Sequence, residues 1–152
     1  MSQIFLTIPG DLAFRELSMR PIESMCKLAG VAPNLDPDEL SRFSHELVSA
    51  VGEAFNNVIL HSYKDGHRGK ITLIVNNFVW GLQVEMQDTG KTFDPSTIPE
   101  PDLDSLPESG MGLFIIRSFV DELEYHPGAP NRLVLKKSFN LKPASDSTDT
   151  DA

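Results

Sequence analysis

Apolar positions along the chain alternate between two periods, and the switches mark the elements. Residues 3–8 are strand-like and end at Pro9-Gly10. From Asp11 to Ala29, Leu12, Leu17, Ile22, Met25, Leu28 and Ala29 recur at helical spacing. Pro21 conflicts with the middle of such a helix. A start near Ser18, with Pro21 in the first turn and Gly30 as C-cap, resolves the conflict. Asp36-Pro37-Asp38-Glu39 is a stronger start: an N-cap, a proline at the first helical position and acids in the first turn. A long helix follows to about Ser62, its stripe formed by Phe43, Leu47, Ala50, Val51, Ala54, Phe55, Val58 and Ile59. Lys64-Asp65-Gly66 and Gly69 close it in a turn.

The period then falls to two. Lys70–Asn77 alternates at Ile71, Leu73 and Val75, and Trp80–Gln87 at Leu82, Val84 and Met86, a hairpin pattern closed by Asp88–Gly90. Residues 91–109 carry neither period; Pro95, Pro99, Pro101 and Pro107 with five acids make that stretch a loop. Gly110-Met111-Gly112 opens a helical run over Leu113–Val120. Leu123–His126 and Arg132–Phe139 form a last hairpin around Pro127-Gly128-Ala129-Pro130. Helices separated from hairpins predict an α+β sandwich with helices on one face of a largely antiparallel sheet. No repeat is visible.

The 152 residues suit one domain, and 40% hydrophobic residues suffice for its core. A formal charge of −9 argues against a nucleic-acid partner and suits either a basic partner or plain solubility. Part of that charge lies in a low-complexity end at Asp146, Asp149 and Asp151, so residues 1–140 are expected to fold and 141–152 to form a disordered acidic tail. One cysteine, Cys26, permits no internal disulfide and suggests a small core residue. The first residues lack a basic, then long apolar, leader pattern. No apolar stretch reaches membrane-spanning length, so the expected location is the cytoplasm, with no membrane partner.

Three groups of residues carry candidate chemistry. Glu53 and Asn57 lie one turn apart on one face of the long helix, off its apolar stripe, and His61 extends the row. A carboxylate can take a hydroxyl proton, and an amide oxygen can ligate a hard cation such as Mg²⁺. Asp88-Thr89-Gly90 ends a strand, where an Asp can accept from an exocyclic amine and a glycine allows close approach of a base. Gly110-Met111-Gly112 opens a helix whose free N–H groups and dipole attract phosphate. It is neither a Walker loop nor a dinucleotide fingerprint. Taken singly, each group also fits a bland role: a solvated helix face, an ordinary turn, a flexible entry to a helix.

In this order the three groups resemble the N, G1 and G2 boxes of the GHKL ATPase superfamily, which includes gyrase, histidine kinases, heat-shock chaperones and mismatch-repair ATPases. The stretches are Glu53–Asn57 running on to His61-Ser62-Tyr63, then Asp88–Pro95, then Gly110–Ile116. The similarity spans about residues 5–139 and is greatest to anti-sigma-factor serine kinases. They share the E-A-x-x-N-x-x-x-H-x-Y form, the run into Phe93-Asp94-Pro95 and a short lid. The resemblance implies a two-layer α/β sandwich of the Bergerat type, with a mostly antiparallel mixed sheet and helices on one face. It implies ATP and Mg²⁺ as cofactors and Glu53 as general base toward a substrate serine. Asn57 would be the metal ligand, with ATP contacts from Asp88, Gly90, Gly110, Met111, Gly112 and Leu113. The implied partners are a sigma factor and a small STAS-type anti-anti-sigma protein, with Arg20 on the partner surface and homodimers among the assemblies. Where relatives carry a Gly-Thr pair near adenine, this chain has Pro130-Asn131-Arg132, and Asn131 is the replacement to consider. A non-catalytic ATP-binding sequestering module fits the same boxes. The catalytic piece of a histidine kinase fits less well, because only about 35 residues precede the long helix.

Overall fold

The computed structural model describes residues 2–63, 69–92 and 111–140. The expected turn at residues 64–66, the proline-rich lid, Gly110 and the acidic tail lie outside the described residues.

Strand β1 (Gln3–Pro9) leads through a short 3-10 turn at Leu12–Phe14 into α1 (Arg15–Ala29) and α2 (Pro37–Asn57). The hairpin β2 (Lys70–Phe78) and β3 (Gly81–Asp88) follows, then α3 (Met111–Phe119), β4 (Glu122–His126) and β5 (Asn131–Ser138). Among the described residues five strands form one sheet ordered β1-β2-β3-β5-β4, and all four neighbour pairings are antiparallel. The last strand therefore lies between β3 and β4, and Asp88 at the end of β3 stands opposite Asn131 at the start of β5.

One sheet face turns toward the helices through Ile71, Leu73, Val75, Leu82, Val84, Met86, Leu133 and Leu135. The other carries Glu85 and Arg132, joined by a 2.9 Å hydrogen bond from Nε, and Lys136 between Glu122 and Glu124. Period-two alternation separates these sets, as it must when only one face is covered. The α2 stripe is buried as its spacing predicts; Phe55, Leu47, Val51 and Ala54 lie at its centre. Fully burying a Phe, Leu or Val side chain of this kind is worth about 1.5–3 kcal/mol.

Helix α1 departs from its sequence reading. It begins at Arg15, and Pro21 sits inside it. Proline removes the bond to the carbonyl four residues back, that of Leu17. Leu17 is 53% exposed, so that edge of the helix faces solvent, and the opposite face is anchored by Met19, Ile22, Met25, Cys26 and Ala29. Leu12, Leu17 and Leu28 are exposed rather than part of the stripe. Asp36 does precede α2, but its side chain makes no capping bond; Leu40 N donates to the Asp36 carbonyl at 2.9 Å.

Candidate active site

The site forms where α2 ends. Past Asn57 the helix widens into one π-helical turn, Val58–Ser62, in which Tyr63 N donates to Val58 O at 3.2 Å. Such turns insert one extra residue into a helix and occur often at functional sites. Here the extra residue brings Ser62 and Tyr63 inward, and both are buried. Tyr63 Oη donates to Lys70 O at 2.8 Å and accepts from Thr89 N at 3.1 Å, tying the helix end to both strands of the hairpin. Ser62 O accepts from Lys91 N at 2.8 Å.

Glu53 and Asn57, both half-buried, face the start of α3. A Cβ built on Gly112 would lie 3.0 Å from Glu53 Oε2 and 3.6 Å from Asn57 Oδ1. The glycine-opened helix and the acid–amide pair thus share one small space, which a side chain at 112 would fill. On the far side, Arg15 Nε donates to Gly52 O at 3.3 Å and fixes α1 beside the same turn of α2.

Asp88 is 3% exposed, and its carboxylate Oδ1 accepts from Gly90 N and from Asn131 Nδ2, each at 3.0 Å. Gly90 is constrained from an unexpected side: a Cβ there would collide with the Ser62 carbonyl. The glycine needed by the sequence argument for a base is needed first for the packing of this loop on the helix end. Ser62 Oγ is buried and has no hydrogen-bond partner among the described residues. A buried hydroxyl in that state is costly unless a bound group or water satisfies it.

The structure brings together Glu53, Asn57 and Gly112 in one cluster and Asp88, Gly90 and Asn131 in another, joined by the Asn57–Tyr63 segment. Met111 is in the first turn of α3, and Leu113 is buried, its side chain committed to the interior. Arg20 is apart from both clusters in its contacts: its recorded partner is Glu16, one turn away on the exposed face of α1, at 3.3 Å. Tyr63, Ser62 and Thr92 gain roles that spacing did not assign. Only Tyr63 and Ser62 had a signal, as part of the N-box run.

The oxygen donors suit the chemistry of a phosphate-bound magnesium ion, which takes few protein ligands and several from phosphate and water. Among the described residues no group of three His, Cys, Asp or Glu could hold a metal by itself. Glu53 Oε2 and Asn57 Oδ1 are the side-chain oxygens that lie against Gly112 in the first turn of α3. Among the described residues no helix is long and apolar enough to cross a membrane.

Comparison with known proteins identifies the family. Residues 21–137 match the histidine kinase-like ATPase domain. An anti-sigma F factor of Clostridium botulinum (strain Eklund 17B / Type B) is 31% identical over 139 residues, covering 86% of this chain and 94% of the relative. The serine-protein kinase RsbW of Bacillus subtilis (strain 168) is 29% identical over 124 residues, 74% of each chain. That of Bacillus velezensis is 29% identical over 104 residues, and the match spans 64% of the relative's length. Among solved structures, the RsbU and RsbW domains of Rv1364c from Mycobacterium tuberculosis superpose with a TM-score of 0.59 at 14% identity. That match covers 91% of this chain and 32% of the other, and it shows a shared fold.

Proposed function

Because the chain belongs to the histidine kinase-like ATPase family, we propose that it is an ATP-dependent serine protein kinase of the anti-sigma-factor type. In this reading it binds a sigma factor in the cytoplasm and phosphorylates a small anti-anti-sigma protein of the STAS type. The names of its relatives, a serine-protein kinase and an anti-sigma factor, support the two halves of the reading. The acidic surface, with a formal charge of −9, suits protein partners rather than nucleic acid.

The observation that carries the reading is the approach of Gly112 to Glu53 and Asn57. Bound MgATP supplies the phosphoryl group and the positive charge that offsets its oxygens. Asn57 Oδ1 would hold the ion, and the first turn of α3, from Met111 and Gly112, would orient phosphate with its free N–H groups. Glu53 would take the proton of the substrate serine as that oxygen forms its bond to phosphorus and ADP departs. Asp88, with Gly90 beside it, would accept from the exocyclic amine of adenine. Most of the catalysis is positioning and charge stabilisation, as phosphoryl transfer requires.

The test is transfer of radiolabel from γ-labelled ATP to a purified STAS-type substrate. Glu53→Ala should abolish transfer, a loss of at least about 100-fold, while ATP still binds. Undiminished transfer by Glu53→Ala would remove the assignment. Absence of transfer by the native protein, with ATP bound, would leave a sequestering module instead of a kinase.

A further inference from the structure

Asn131 is fully buried and uses its whole hydrogen-bonding capacity inside the protein. Its Nδ2 donates to Asp88 Oδ1 and to Gly90 O, each at 3.0 Å. Its Oδ1 accepts from Thr92 Oγ1 and from Gly128 N, also at 3.0 Å. The orientation of this amide is fixed by the backbone. Gly128 N can only donate and Gly90 O can only accept, so a flipped amide would face both with the wrong atom. Two donors and two acceptors are matched, which leaves no valence for a bound base. Asn131 therefore does not stand in for a side chain that touches adenine.

What it does touch is the group that would. Strand register puts Asn131 opposite Asp88, and Asp88 Oδ1 sits between two groups that can only donate, Gly90 N and Asn131 Nδ2. That arrangement holds the carboxylate plane and keeps Oδ1 as an acceptor. We propose that Asn131 is a positioning residue that holds Asp88 as a hydrogen-bond acceptor and so sets the site's preference for a purine with a 6-amino group over one with a 6-oxo group. This rests on the reading of Asp88 as the base-recognising group. A 6-amino group donates to the held carboxylate; a 6-oxo group would bring acceptor against acceptor. Thr92 and Gly128 act one step further back by fixing which way the Asn131 amide points.

The experiment compares ATP with ITP, which differ at C6, by calorimetry on the full chain with Mg²⁺. The native protein should favour ATP by about 10- to 100-fold, the range for one hydrogen bond to a charged group. Asn131→Asp replaces the donor with a second carboxylate of the same shape. Two such groups in contact share a proton, and Asp88 can then donate. ATP affinity should fall at least about tenfold and ITP affinity should not, bringing the ratio to within about threefold. An unchanged ratio in a folded variant, or equal loss of both nucleotides, would overturn the proposal, since a merely structural residue lowers both together. If circular dichroism shows Asn131→Asp unfolded, Thr92→Val decides. Thr92 is exposed, and its loss removes one of the two donors that orient the amide. Discrimination should then fall about two- to fivefold, and an unchanged ratio would count against the proposal. If the native protein binds neither nucleotide, the ATP reading itself fails. If it binds both equally, the preference and its proposed cause fail while the nucleotide site stands.

Discussion

Gly112 and Glu53 belong to different helices, yet a Cβ on the glycine would approach the carboxylate Oε2 to 3.0 Å. The two demands on residue 112 have opposite signs. A helix gains about 0.5–1 kcal/mol when glycine becomes alanine. The atom met by the new methyl is the end of a flexible side chain, which can move a few tenths of an ångström. Gly112→Ala should therefore leave the ligand-free melting temperature unchanged or slightly higher. The methyl, filling the space beside Asn57 Oδ1, should lower nucleotide affinity by about tenfold or more. Thermal unfolding with and without MgATP measures both effects, and a parallel loss of stability and affinity would contradict the argument.

Gly90→Ala should behave differently. Its methyl would meet the Ser62 carbonyl, which is backbone and already bonded to Lys91 N. Neither partner can yield without moving the loop or the helix end. Overpacking of this kind costs about 1–3 kcal/mol, so the variant should lose stability in the ligand-free protein, read as a lower denaturant midpoint at constant slope.

Ser62→Ala should have the opposite outcome. The hydroxyl is buried and has no partner among the described residues. Its removal deletes a desolvated group and costs almost no packing volume. The expected change is a gain of up to about 1 kcal/mol, or about 2–4 °C in melting temperature, without ligand. A clear loss of stability would mean that the hydroxyl has a partner in solution.

Cys26 lies among Met19, Ile22 and Met25 in the buried face of α1, and burial pushes its thiol up to about 12. A folded-state value above the unfolded 9.0 means that the native protein holds the proton more tightly. The associated stability is present in full below about pH 9 and is lost as pH rises from 9 toward 12. At pH 8 the native thiol, buried and holding its proton, should react with iodoacetamide much more slowly than in urea. Fast native alkylation would show that α1 opens locally.

Much of this architecture is legible in the chain. The α2 stripe from Phe43 to Val58 and the alternation of Ile71, Leu73 and Val75 with Leu82, Val84 and Met86 are burial patterns, and periodicity reports burial directly. Glu53 and Asn57 stand out because they are polar residues beside such a stripe. What escapes is whatever depends on contacts between distant segments or on one extra residue. Leu12, Leu17 and Leu28 fit a helical stripe, but which face of α1 is covered depends on where α2 packs. The π-helical turn at Val58–Ser62 adds a residue that a 3.6 period cannot show. Asn131 bonds to Asp88 across 43 positions, a pairing set by strand register alone. Its place in the chain marks it as an oddity, and only its four partners explain it.

The insertion of β5 between β3 and β4 has a consequence for biogenesis. A growing polypeptide that has left the ribosome only as far as α3 already contains Glu53, Asn57 and Gly112, whereas Asp88 still lacks the neighbour that steadies it. The corner around Asp88 is completed by β5, the last of the described strands in chain order. Truncation within that strand would leave an acid and an amide in place but remove the amide that secures Asp88.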